Sequence, residues 1–108
     1  MKIVSFKGTK WNGTVTLYDP LTIEQEGAFE LCLAAEREAR EKGGGLGAVH
    51  YALLVGILAC VQEWKLSGFP ERVTLENFPP RPRKDRDDLI ALLVTELLEI
   101  YKKDDPNA

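Results

Sequence analysis

Histidine occurs once in this 108-residue sequence, methionine once and cysteine twice. One imidazole cannot make a His-Glu-x-x-His, and no Cys-x-x-Cys occurs, so the usual zinc and thiol-redox patterns are excluded. Cys32 and Cys60 are too few for the disulfide framework of a small secreted domain. Both stand in apolar helical patterns, where a thiol acts as a small buried hydrophobe. The opening residues, MKIVSFKGTKW, lack the long apolar stretch of a signal peptide, so a reducing cytoplasm is expected. A concentrated basic face is also missing. With 14 basic against 17 acidic residues, the net charge of -3 argues against nucleic-acid binding.

Formal charge is absent from Gly43 to Gln62. A membrane span needs ~20 mostly apolar residues. Here the glycines belong to a loop, His50 interrupts the run and Gln62-Glu63 closes it, so no membrane insertion is expected. The segment reads instead as a helix over 48–66, buried on several sides or shared with another subunit. His50 has no patterned acid or cysteine to orient it and reads as a satisfied or surface histidine. The cluster Gly43-Gly44-Gly45-Leu46-Gly47 follows a helix, and no Lys-Ser/Thr comes after it, so it is a connector and no phosphate cradle.

The elements present give an α+β chain dominated by helix, in a single domain over 1–108. Residues 1–19 predict a β-hairpin: Val4 and Phe6 share one face, Val15 and Leu17 another, and Asn12-Gly13 signals a two-residue turn. Gly8 leaves open a bulge or a longer loop. Thr22 and Gln25 have capping-box spacing ahead of a helix over 22–42. Its inner stripe is expected at Ala28, Leu31, Cys32, Ala35 and Ala39, with Glu36–Arg40 and Glu38–Lys42 pairs outside.

Residues 67–84 form a Pro-rich connection in which Val73–Leu75 could be briefly extended. Asp85 is expected to cap a last helix over 85–103, with Leu89, Leu93, Leu97 and Ile100 inward and Ala91, Thr95, Glu99 and Lys102 outward. The three helices are expected to pack around the apolar helix 48–66.

Trp64, Phe69, Pro70, Phe78, Pro79 and Pro80 are the candidate partner-binding residues. Aromatics are favoured at interface hot spots, although burial in the core serves them equally well. The basic cluster Arg81, Arg83, Lys84 and Arg86 is offset by Asp85, Asp87 and Asp88, which leaves too little charge to track phosphates. No catalytic residue, metal ligand or cofactor site emerges, because acid, base and nucleophile do not converge.

The order of features over residues 62–103 resembles tail assembly chaperones of long-tailed bacteriophages. An apolar helix ends in Glu63-Trp64-Lys65. Gly68-Phe69-Pro70, Val73-Thr74-Leu75 and Glu76-Asn77-Phe78-Pro79 follow, and a Leu-rich helix closes at Ile100-Tyr101. The resemblance implies a small, mostly helical, oligomeric viral protein of the bacterial host cytoplasm. It would bind the hydrophobic tape measure protein before the tail tube polymerises. It also implies a longer frameshifted product, for which an A-rich run encoding Lys102-Lys103 would serve, although two lysines equally suit a helix C-terminus. The alternative is a small phage-encoded regulatory or inhibitory protein that occludes a host protein.

Overall fold

The structure, a computed structural model, describes residues 1–7, 11–80 and 83–103. Its elements are β1 (Lys2–Phe6), β2 (Gly13–Leu17), α1 (Ile23–Glu41), α2 (Leu46–Cys60), β3 (Val61–Leu66) and α3 (Arg83–Lys103). The architecture is α+β, with a three-stranded antiparallel sheet in the order β1-β2-β3.

The first two strands follow their period-2 pattern. Val4 lies opposite Val15, and both are buried with Phe6 and Leu17, while Ile3 points outward and is exposed. The turn differs from expectation. Phe6 pairs with Gly13, so residues 7–12 make the connection and Asn12-Gly13 is no two-residue turn. The bulge considered at Gly8 lies outside the described residues. Gly13 has a separate reason to be glycine: its φ is +132°, and a Cβ there would sit 1.9 Å from the Lys65 carbonyl oxygen. The close approach of β3 to β2 demands it.

The largest correction concerns residues 61–66. The helix expected over 48–66 covers only Leu46–Cys60, and the chain turns extended at Val61 (φ -95°, ψ 125°) with no intervening loop. Val61–Leu66 then pairs antiparallel with β2 from Gly13↔Leu66 to Leu17↔Val61, with a register shift that leaves Gln62 without a partner. The cause is tertiary. The open edge of β2 offers a ladder that outweighs the helical preference of Gln62, Glu63, Lys65 and Leu66. Alternation fits as well, since Leu66 is buried and Trp64 half-buried while Glu63 and Lys65 are exposed.

The capping box forms as its spacing predicts: Gln25 N–H donates to Thr22 Oγ1 at 3.2 Å and Thr22 N–H to Gln25 Oε1 at 2.9 Å. Both i,i+4 pairs of α1 are present as well. The inner stripe of α1, however, is rotated from the expected one. Phe29 and Cys32 are its buried residues, whereas Leu31 and Ala35 are exposed. Phe29 outweighs alanine in choosing the buried face, because it removes far more apolar area from water.

Helix α3 starts at Arg83, so Asp85 lies in its first turn and does not cap it. Its inner stripe of Leu89, Leu93, Leu97 and Ile100 is buried as the periodicity predicts, joined by Ile90. Lys2 is held between Glu96 at 2.5 Å and Glu99 at 2.8 Å, which fixes β1 to α3 and raises the lysine pKa through those bonds. Lys103 reaches Asp19 at 3.0 Å, so this lysine has a local partner beyond the helix dipole. Helix α2 packs against both α1 and α3. Among the described residues, no helix is long and apolar enough to cross a membrane.

Candidate functional site

The aromatic residues expected to offer a docking surface meet one another. Trp64 stacks on Phe69 with centroids 5.4 Å apart and planes 10° off parallel. Phe78 stands edge-on to both, at 5.9 Å from Trp64 and 5.4 Å from Phe69. Trp11, which the sequence pattern did not single out, closes the group edge-on to Phe69 at 5.0 Å, and its indole N–H donates to the Asp85 carbonyl at 3.3 Å. Gly68, at φ +82°, turns the chain after β3 so that Phe69 can fold back. Phe78 is only 8% exposed and Trp64 and Phe69 are half-buried. Pro70 and Pro79 are half-buried and Pro80 is exposed.

The segment leading to Phe78 is ordered by its own polar groups. The piece around Val73–Leu75 is not a strand; a turn covers 75–77. Thr74 N–H donates to Asn77 Oδ1 at 2.7 Å, and Asn77 N–H returns a bond to Thr74 Oγ1 at 3.2 Å. The Asn77 amide also donates to the Arg72 carbonyl at 2.7 Å. This reciprocal bonding copies a helix capping box in a single turn. It sets Phe78 inward and aims the turn at the start of α2.

Between that turn, α2 and α3 lies an open cleft of about 340 Å³, with Leu54, Phe78 and Ile90 as apolar lining and His50, Tyr51 and Arg86 as polar lining. Phe78 and Pro80 are the only expected site residues that reach it. The acid missing from the sequence pattern around His50 is supplied by α3. Asp87 Oδ1 lies 3.2 Å from His50 Nδ1, which is buried and has no hydrogen bond. Asp87 Oδ1 also accepts from Arg86 Nε and Nη2 at 3.3 Å each, and Arg86 Nη1 donates to the Pro80 carbonyl at 3.3 Å. The arginine is therefore committed to neighbours.

Neither cysteine is an activated nucleophile. Cys32 and Cys60 are free and buried, and burial pushes each thiol from the usual 9.0 up to about 11. Thiols of that kind are unreactive at neutral pH. Among the described residues, no group of three or more His, Cys, Asp or Glu side chains is placed to hold a metal ion.

A second surface lies on the outer face of the α1–α2 pair. The two helices meet closely where Cys32 faces Gly56. On the solvent side of that contact α2 exposes Ala48, Tyr51, Val55 and Ala59, spaced three and four apart, with Tyr51 63% and Val55 47% exposed. Leu31, 74% exposed, and Ala35 continue the apolar surface onto α1. The absence of charge from Gly43 to Gln62 was the signal for this face, although it pointed equally to burial.

No family model, curated protein or solved structure matches this chain.

Proposed function

We propose that this protein is a non-enzymatic assembly protein: a phage tail assembly chaperone that self-associates and holds an apolar helical client, the tape measure protein, in the bacterial host cytoplasm. In this reading α2 is the central helix on which α1 and α3 pack. Its outer face joins copies of the chain, and the cleft beside Tyr51 takes the client. One observation carries the proposal: a charge-free helix leaves Tyr51 and Val55 in solvent beside Leu31 of α1. Contiguous exposed apolar surface of this kind marks interaction sites on soluble proteins. The face also suits a two-fold contact, because large side chains (Leu31, Tyr51, Val55) alternate with small ones (Ala35, Ala48, Ala59) that can receive them from a second copy.

Sedimentation and co-purification test this. The chain is expected to sediment as a dimer or larger species at micromolar concentration. Val55→Glu should return it to monomer. Ile23→Glu, on a fully solvated side of α1, should leave the assembly unchanged. A tape measure protein expressed with the chain should co-purify with it. A folded monomer throughout that range removes the self-association, and recovery of a host enzyme in place of the tape measure moves the function to occlusion.

A further inference from the structure

Helix α2 ends where its sequence carries no stop. At Cys60–Val61 there is no glycine, no proline and no basic residue in the last turn. A complete stop stands seven residues further on. Gly68 has the positive φ, +82°, of the left-handed residue that closes a helix, and Pro70 follows it. Lys65 would lie in the last turn, at the negative end of the dipole. Such a stop is accompanied by an apolar contact between the residue after the glycine and the residue four before it. Those residues are Phe69 and Trp64, which already stack at 5.4 Å.

The helical phase of α2 also runs on through β3. In steps of three and four, Trp64 follows buried Ile57 and Cys60, while Leu66 lies seven residues after Ala59 on the outer stripe that holds Val55. Strand β3 is weakly held by comparison. It is an edge strand of six residues in which Gln62 has no partner, Glu63 and Lys65 are exposed, and only Leu66 is buried. Two hydrogen-bonded arrangements of the same residues therefore compete: the ladder to β2, and about two further turns of α2. In a single chain the ladder wins, because it covers the edge of β2 and leaves Leu66 only 6% exposed. In the helical form Leu66 would stand in solvent on the outer face. A second copy seated on that face shifts the balance the other way, since it buries Leu66 together with Val55.

We propose that residues 61–66 are a two-state segment, strand β3 in the single chain and the end of α2 in the assembled one, so that self-association lengthens the helix and opens the edge of β2. The trigger rests on the self-association proposed above; the two states rest on the chain alone.

Chemical-exchange NMR on the Val55→Glu monomer tests the two states. Residues 61–66 are expected to exchange with a minor form, about 1% of the molecules, that has helical carbon shifts. Gln62→Pro in the same chain should abolish it. Proline is excluded from a helix interior but tolerated at an unpaired position of an edge strand, and Val61 already has the extended backbone that a following proline requires (φ -95°, ψ 125°). Gly13→Ala, which denies β3 its place on β2, should make the helical form the major one; if that variant does not fold, exchange in the Val55→Glu monomer decides alone. Sedimentation tests the coupling. Gln62→Pro in the otherwise native chain should weaken self-association about tenfold, the loss expected when a leucine is withheld from an interface. A minor form that is absent or unstructured overturns the inference, as does association unchanged by Gln62→Pro. A chain that exchanges into helix yet never associates rejects the proposed self-association and the trigger with it, and leaves the two-state segment standing.

Discussion

Cys32 occupies the space that a side chain on Gly56 would need. A Cβ on Gly56 would come 2.3 Å from Cys32 Sγ, 2.7 Å from its Cβ and 3.2 Å from the Ala28 carbonyl oxygen. The close contact of α1 with α2 therefore depends on one missing methyl group. In an isolated helix, Gly→Ala would stabilise by roughly 1 kcal/mol. Here overpacking reverses the sign, and Gly56→Ala is expected to destabilise by about 1–3 kcal/mol. Denaturant unfolding measures it. Cys32→Ala in the same chain should recover part of the loss, because Sγ is the nearer obstacle.

Gly13→Ala tests the strand that replaced the end of the expected helix. Both the φ of +132° and the 1.9 Å approach to the Lys65 carbonyl forbid a side chain there. The substitution is expected to cost more than about 3 kcal/mol, the upper range for strain combined with overpacking. Amide exchange should quicken first along Val61–Leu66 and its partners in β2. Exchange unchanged in β3 would mean that the two strands do not pair.

Phe78 and Trp64 should separate by their burial. Phe78→Ala removes a ring that touches two other aromatics and is expected to cost about 3–5 kcal/mol, while half-buried Trp64 should cost less, about 1–3 kcal/mol. Client capture, corrected for the folded fraction, should fall for Phe78→Ala, which lines the cleft, and hold for Trp64→Ala. The opposite ranking of capture would return Trp64 to the docking surface.

The thiols predict a loss of stability at alkaline pH. Burial raises both above 9.0 to about 11, so below pH 9 they are protonated in the folded and unfolded chains alike. Between pH 9 and pH 11 the unfolded chain releases protons that the folded chain keeps, and stability declines across that window. A shift of this size corresponds to about 2–3 kcal/mol per thiol by pH 11. Replacing both cysteines by alanine should flatten that segment of the stability profile. In the native protein, a thiol reagent at pH 7 should modify neither residue faster than the chain unfolds.

Much of this fold was legible residue by residue. Thr22 with Gln25 gave the start of α1, the glycines from Gly43 its end, and the leucine spacing of α3 its buried face. What the sequence did not disclose has a common cause. No glycine or proline occurs between Gly56 and Gly68, so nothing local marks the change from helix to strand at Val61; the open edge of β2 imposes it. The position of Asp87 against His50 likewise depends on how two helices cross, and no spacing along the chain encodes that. The aromatic residues were visible as a set, but their mutual stacking follows from the turn at Gly68 and the Thr74–Asn77 bonds.

The strand order carries a kinetic consequence. β2 obtains its second neighbour only when Leu66 reaches Gly13, after both α1 and α2 have been made. Closing so long a loop has an entropic cost that the local helical hairpin can reduce by forming first. Until then the β1–β2 hairpin is a two-stranded ribbon with an unpaired edge, marginal by itself and open to pairing with other chains. On the ribosome that interval lasts for the synthesis of two helices, roughly several seconds at ordinary elongation rates. The direct passage from α2 into β3 shortens the danger, because the helix that docks on α1 delivers the missing strand in the same movement.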